Sequence, residues 1–446
     1  MPFKRKVYNQ LLTWKENYVD KYSILIEGPR RVGKSTIVEH FAKQKYKSYI
    51  LIDFAHVQKD ILACFDDLGD TKLFLLHLQA ATGIRLFKGE SVIIFDEIQL
   101  YPQARQALKY LVKDSDYHYI ETRSLISIKK NLKDIVIPSE EKKLQMFPMD
   151  YEEFLWATGS SSYSMIEQFL TSRMKTGDAL HRKLIRDFRI YMAVGGMPQA
   201  VEAYVNGDNF ADIDKVKTEI IHLYEDDFKK IDPSGRLGDI YKSIPVQLSK
   251  NAKRFIVSQT NNGRKSPKDD ENIFDLVDSK TILISHNCTD PGISLSLIKD
   301  YTSYKLYVAD TELFVTMLFM DRPSVENELY AKLLADKLPA NLGYLYENVV
   351  AQTIAATGRD LYYHTWEKEG STHHYEIDFL VSNKTKINAL EVKSSGTGKH
   401  KSLTDFSQKF SKNVKDLCII SQKELKTEGA LRYIPVYMFP IYIQSE

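Results

Sequence analysis

The octapeptide GPRRVGKS, Gly28 to Ser35, constrains the fold of this chain more than any other stretch. It matches the spacing G-x-x-x-x-G-K-[ST], and its surroundings give that spacing a structural meaning. The apolar run YSILIEG ends on its first glycine, and a helical pattern, Lys34 to Lys45, starts at its end. Strand, glycine turn and helix N-terminus in that order make an anion cradle. Gly28 and Gly33 let the loop through Pro29, Arg30, Arg31 and Val32 turn so that backbone N–H groups face phosphate oxygens. Lys34 reaches the β- and γ-phosphates of a nucleotide, the Ser35 hydroxyl suits Mg²⁺, and Thr36 suits the α-phosphate.

Such a cradle needs a parallel sheet behind it. Tyr49 to Phe54, Ser91 to Glu97 and Tyr117 to Thr122 read as further buried strands, with helices at Lys72 to Thr82 and Gln103 to Lys113. That alternation predicts an α/β core with helices on both faces of the sheet. SVIIFDE places Asp96 and Glu97 at a strand end beside the loop. Asp96 suits the Mg²⁺ shell, and Glu97 suits a general base that orients the attacking water. Thr122 either touches the γ-phosphate side of the site or is a solvated strand end. Transition-state charge calls for an arginine as well. Arg30, Arg31, Arg85, Arg105, Arg123 and a neighbouring subunit all stand open as its source.

At roughly 100–200 residues per domain, a chain of this length holds about two to four domains. We expect the P-loop core over 1–150, a helical lid or linker over 151–230, a winged helix over 231–323, and an α/β module over 324–446. Helical patterns in MDYEEFLWA, SMIEQFLTSRM and HRKLIRDFRIYMAV support the second segment, and GGMPQ interrupts them as a loop. In the third, Tyr241 to Val257 reads as helix, and TILIS and YKLYVAD as strands.

These motifs bring a family into view. KVYNQLLTWKE, IEGPRRVGKSTIVEHFAK, IFDEIQLYPQARQALKYL, IPSEEKKLQMFPMDYEEFLWA and IYMAVGGMPQAVEAY resemble a large prokaryotic group of AAA-type P-loop ATPases with a C-terminal domain of unknown function. The resemblance covers nearly the whole chain and implies ATP binding and hydrolysis; with Mg²⁺ read from Ser35 and Asp96, the expected cofactors are ATP and Mg²⁺. It implies a helical segment and a winged helix after the core. This chain departs from the group at Arg123, where a glycine is usual.

A second candidate site lies near the C-terminus. Asp378 ends HYEID, and Glu391 and Lys393 end INALEVK, with polar SNKTK between them as a hairpin turn. On adjacent strands Asp378 and Glu391 share one pocket, and residues two apart on a strand face the same way. Glu347, on the helix LYENVVAQTIA, can aim there too. Carboxylates with a lysine can hold Mg²⁺ and position water. The pattern resembles the PD-(D/E)XK nuclease fold, with Ile377 in place of its proline. Active cleavage, a degenerate nuclease fold and ordinary charged strand ends all stand open. His364, His373 and His374 read as surface histidines.

The charge balance of +2 points to no partner, so any nucleic-acid surface must be local. Lys242, Lys250, Lys253, Arg254, Arg264, Lys265 and Lys268 form a run with no acid inside it, which suits a DNA backbone or a solvated face. Three scattered cysteines suggest buried apolar side chains in a reducing compartment. No apolar run has membrane-spanning length, and we expect a cytoplasmic protein. The functional expectation is Mg²⁺-dependent ATP hydrolysis coupled to nucleic-acid binding or processing. The alternatives are an ATP-dependent switch with an inactive nuclease-like scaffold, and a nucleotide-regulated DNA endonuclease.

Overall fold

SILIEG, SVIIFD and HYIETRS have no exposed position, as strands covered by helices on both faces require. In the computed structural model they become β1 (Ser23–Gly28), β3 (Ser91–Asp96) and β4 (His118–Ser124), with β2 (Ser48–Asp53) and β5 (Glu141–Gln145) outside them. The structure describes residues 2–124, 139–250, 252, 254–260, 267–291, 294–320, 330–335, 343–368, 374–394 and 400–446. The five strands run parallel in the order β2-β3-β4-β1-β5. The β4 strand thus lies between the strand that feeds the phosphate loop and the strand that ends on Asp96. The edge strand β5, EKKLQ, is charged and partly exposed, which suits an edge that must not pair further.

Contacts divide the chain into two compact units. One is Met1–Phe147 with Asp226–Pro233, and the other is Pro148–Glu225 with Ser234–Glu446. In the first, Leu25, Ile50, Phe74, Leu78, Ile93, Phe95 and Leu108 belong to one apolar core. The phosphate loop opens the helix Lys34–Lys45, as expected, and Gly33 at its start holds a left-handed φ of 93°. A Cβ on Gly28 would lie 2.2 Å from the Met146 carbonyl oxygen, so the glycine is needed for close approach as well as for turning.

The second unit is helical up to Ser249, then mixed. Asp150 caps the helix Tyr151–Ala157 through a reciprocal pair with Glu153. The expected helix at Tyr241 to Val257 lies earlier, at Arg236–Ser249, and carries Pro245 inside it. Its start is set by Gly235 in the left-handed region, a local signal weaker than the apolar periodicity further on.

An eight-stranded sheet follows, made of β6 (Ile282–Cys288), β7 (Lys299–Val308), β8 (Leu361–Glu367), β9 (His374–Asn383), β10 (Lys386–Val392), β11 (Val414–Ser421), β12 (Lys426–Glu428) and β13 (Leu431–Pro435). Their order is β12-β13-β11-β10-β9-β8-β6-β7. TILIS and YKLYVAD do form an antiparallel pair, yet β6 also pairs in parallel with β8 through Ser285, His286 and Asn287. The expected wing strands therefore extend the C-terminal sheet, and that sheet crosses the expected 323/324 boundary. The expected hairpin is present: β9 and β10 run antiparallel, with Leu390 opposite Phe379. Among the described residues, no helix is long and apolar enough to cross a membrane.

Candidate functional site

The carboxyl ends of β1, β3 and β4 gather the first set of side chains. Ser35 Oγ donates to Asp96 Oδ1 at 2.9 Å, and Thr122 Oγ1 donates to the same oxygen. The Glu97 amide donates to Thr122 Oγ1 at 3.2 Å. Thr122 is fully buried, so it is not a solvated strand end. Burial pushes Asp96 up, while its bonds from Thr122 and Ser35 hold it down.

Lys34 is 5% exposed and donates to the loop's own carbonyls, Gly28 at 3.0 Å and Pro29 at 2.8 Å. Burial lowers its pKa from 10.5 to about 8, against the pull of Glu97 and Asp96 and with help from Arg30. An ammonium seated on carbonyls without a carboxylate partner is poised to turn toward phosphate. Glu97 stands in the left-handed region with φ 54° and accepts from Ser124 Oγ at 2.8 Å and from the Gln99 amide. Sequence reasoning did not reach Ser124 or Gln99, although both lie within the motif-bearing segments. Thr36 is exposed on the helix's first turn, and Val32 is fully buried in the loop. Arg5 clasps the loop from below, donating to the Val32 carbonyl at 2.8 Å and the Phe147 carbonyl at 2.6 Å.

The arginine candidates separate cleanly. Arg105 is 1% exposed and grips Glu141 at 2.9–3.0 Å, at the amino end of β5 and away from the phosphate loop. Arg85 lies at the amino end of the sheet too, where its carbonyl accepts from Ser48 at the start of β2. Arg123 alternates with Thr122 along β4, so it faces away from Asp96 and reaches Glu27 at 3.3 Å. That register narrows the open choice by setting Arg123 on the face of β4 opposite Asp96. Arg31 is exposed in the loop with φ 71°. Arg30 donates to Asp227 at 2.8 Å.

For Mg²⁺ the first site fits. Ser35 and Asp96 put hard oxygen donors side by side, and a nucleotide-bound Mg²⁺ usually takes only one or two protein ligands.

The second set lies in the other unit, between the helix Tyr344–Ala356 and the sheet. Asn348 fastens that helix to β7, accepting from the Val308 amide at 2.9 Å and donating to its carbonyl at 3.0 Å. Glu347, one position earlier, accepts from Tyr307 OH at 2.5 Å and from Lys305 Nζ at 3.0 Å. Lys305 also donates to Glu376 at 2.6 Å. Lys393 pairs with Glu391, and Asp378 Oδ2 accepts from the Val392 amide at 2.7 Å. Glu347, Asp378, Glu391 and Lys393 are thus brought together, as the sequence suggested. Lys305 and Tyr307 were not foreseen, because nothing local marks β7 as part of this sheet; Glu376 was missed although it lies two residues before Asp378 on β9, where strand alternation sets both on one face.

Burial first, and then Glu347, push Asp378 well above the usual carboxylate range, with Lys305 opposing. Burial alone would lower Lys305, yet Glu347, Glu376, Tyr307 and Asp378 together hold it well above its ordinary value. Among the described residues, no three His, Cys, Asp or Glu side chains converge as metal ligands do. His364 is buried, not on the surface: Nδ1 lies 2.6 Å from the Cys288 carbonyl and the ring stacks on Trp366. His374 is exposed, and His373 lies outside the described residues. All three cysteines are free and buried.

Of the basic run, Lys253, Arg264 and Lys265 lie outside the described residues. Lys242 pairs with Glu225 at 3.0 Å. Lys250 follows the helix Arg236–Ser249, Arg254 is exposed beyond it, and Lys268 precedes the helix Asp269–Asp278.

Residues 20–155 match an AAA domain family. Residues 185–324 match a domain of unknown function, DUF8612, and residues 342–439 match another, DUF4143. No curated protein matches the chain. Similar solved structures include a STAND protein (signal transduction ATPase with numerous domains) with a tetratricopeptide repeat sensor from Pyrococcus horikoshii. It is 11% identical, with a TM-score of 0.29, over 80% of this chain and 50% of that one, so this chain spans half that protein's length. The Orc1 protein of Aeropyrum pernix in complex with DNA is 12% identical, with a TM-score of 0.26, over 73% and 95% of the two chains. Cdc6p from Pyrobaculum aerophilum is 12% identical, with a TM-score of 0.24, over 75% and 94%. The matched AAA domain and the parallel sheet with its phosphate loop together make the N-terminal part an AAA-type P-loop ATPase core.

Proposed function

We propose that this protein is a Mg²⁺-dependent ATPase whose nucleotide cycle is coupled to nucleic-acid binding. The observation that carries the ATPase reading is the convergence of Ser35, Thr122 and Asp96 on one hydrogen-bonded cluster beside a buried Lys34. The phosphate chain lies along the loop from Gly28 to Ser35, where N–H groups and the helix dipole receive it. Lys34 leaves the Gly28 and Pro29 carbonyls for the β- and γ-phosphates. Ser35 and Asp96 would hold Mg²⁺, directly or through water, and the bound ion would supply neutralising charge for the phosphates. Thr122 keeps the Asp96 carboxylate oriented. Glu97, steadied by Ser124 and Gln99, orients water for in-line attack and takes its proton.

Glu97→Gln is expected to keep ATP binding and lose hydrolysis by about a hundredfold or more, as removal of a positioned base does. Turnover at the wild-type rate in that variant would sink the assignment. The nucleic-acid half of the reading rests on the basic run. Reversing Lys250 and Arg254 to glutamate is expected to weaken DNA binding and flatten its salt dependence. Binding that ignores both charges would remove that half and leave an ATP-dependent switch. A nucleotide-regulated endonuclease is the competing reading, and it rests on Asp378, Glu391 and Lys393.

A further inference from the structure

We propose that the Lys305 ammonium is the resident cation of the C-terminal carboxylate cluster, standing in for the divalent metal that a cutting site of this design needs. Four carboxylates meet here, Glu347, Glu376, Asp378 and Glu391, and each already has a partner. Lys305 takes Glu347 at 3.0 Å and Glu376 at 2.6 Å, Lys393 takes Glu391, and the Val392 amide takes Asp378. Glu347 has a second donor in Tyr307. The Lys305 side chain is 6% exposed, so its charge is neutralised by these neighbours and not by water.

A metal-dependent phosphodiesterase needs carboxylates for the ion and one lysine for the water or leaving oxygen. Here a second, deeper lysine has claimed the helix glutamate. A dication bound by the same group of carboxylates would sit against a buried ammonium, in surroundings that screen like charges poorly. Removing either partner of a buried pair exposes an uncompensated charge, so the lysine is not readily displaced. The atom that argues the other way is Glu391 Oε2, which is buried and has no hydrogen-bond partner. One such oxygen is a single ligand, whereas a Mg²⁺ ion requires near-octahedral oxygen coordination. The carboxylate cluster is therefore an ion-pair core that ties β7, β9, β10 and the helix Tyr344–Ala356 together.

Mn²⁺ binding to the nucleotide-free full chain, followed by electron paramagnetic resonance of the free ion, tests it. The wild-type protein is expected to show no Mn²⁺ site that Asp378→Asn or Glu391→Gln removes. Lys305→Met is expected to create one, at least about tenfold tighter than any wild-type site, and adding Asp378→Asn should abolish it. Lys305→Arg, which keeps the charge, should stay like wild type. A wild-type Mn²⁺ site that Asp378→Asn erases would overturn the proposal, as would a folded Lys305→Met that gains none. Should Lys305→Met fail to fold, the comparison of wild type with Asp378→Asn decides between the two outcomes.

Discussion

Arg30 of the phosphate loop donates to Asp227 at 2.8 Å, across 197 residues of sequence. Asp227 stands in the last turns of the helix Phe210–Ile231 and also accepts from Lys230 at 2.7 Å. It is the better buried of the pair, since Arg30 keeps 40% of its side chain in solvent. A nucleotide phosphate entering the loop would compete with that carboxylate for the guanidinium, and the carboxylate itself repels the phosphate.

Both effects have the same sign. Asp227→Ala is expected to tighten ATP binding about two- to fivefold, the range of a partly exposed ion pair. Titration with a fluorescent ATP analogue at two salt concentrations checks this, and the gain should shrink as salt screens the repulsion. Weaker binding would mean instead that the pair holds the loop in its binding shape.

The depressed pKa of Lys34 makes a pH prediction. Its folded value, about 8, lies below its ordinary 10.5, so between those values the folded, nucleotide-free protein binds fewer protons than the unfolded chain. Stability then rises with pH across that window for this group. ATP affinity moves the other way, falling as pH climbs above about 8 because a neutral Lys34 offers no charge to the phosphates. Lys34→Met should bind ATP weakly at every pH and lose both trends. Thermal melts and ATP titrations from pH 7 to 10 on the two proteins read them out.

What could be read in advance follows from the range of each interaction. GPRRVGKS, SVIIFDE and YHYIET each set their own local geometry, and a parallel sheet brings their ends together by its topology. The hairpin from Asp378 to Glu391 is likewise local. Asp227 and Lys305 were invisible because each reaches its partner through chain reversals that leave no mark nearby. Lys305 enters the second site only because β6 pairs with β8 over three residues, and no pattern in TILIS or YKLYVAD announces that pairing. Arg123 stood open as a candidate for a smaller reason. Strand alternation sets it on the face opposite Thr122, and the sequence alone did not say which face belonged to the site.

Close approach explains GGMPQ. A Cβ on Gly195, at φ 86°, would lie 2.0 Å from the Glu312 carboxylate carbon, and one on Gly196 would lie 2.4 Å from the Met149 carbonyl oxygen. The second obstacle is backbone, which cannot rotate away. Gly196→Ala is therefore expected to cost about 1–3 kcal/mol through overpacking, while Gly207→Ala, with open space around it, pays only the strain of φ 89°. Chemical denaturation of both variants checks the order. Equal losses would show that the Met149 segment yields easily.

Arg105 makes the last prediction, because its place separates stability from catalysis. It is held by Glu141 at the amino end of the sheet, with Glu121 fully buried alongside and bonded to Ser23 Oγ at 3.0 Å. Burial raises Glu121, and Glu141 adds to that rise while Arg105 opposes it; burial raises Glu141 as well. Both carboxyls therefore hold a proton more tightly in the folded protein than in the unfolded chain. Their contribution to stability is thus fully present below the ordinary carboxylate range and is lost as pH rises through their raised values. Arg105→Met removes the cation that opposes this most, ahead of Arg123 at Glu121 and Lys143 at Glu141. It is expected to cost roughly 3–5 kcal/mol near neutral pH, with a steeper loss toward alkaline pH than wild type. Glu121→Gln should flatten the wild-type pH dependence, and Arg105→Met combined with Glu141→Met should recover most of the lost stability. At temperatures where the variants remain folded, kcat for ATP should stay within about twofold of wild type, since that difference is under half a kcal/mol of barrier. Denaturation profiles at several pH values, with turnover measured on the same preparations, would show the stability loss alone. A large fall in kcat for folded Arg105→Met would return this arginine to the catalytic site.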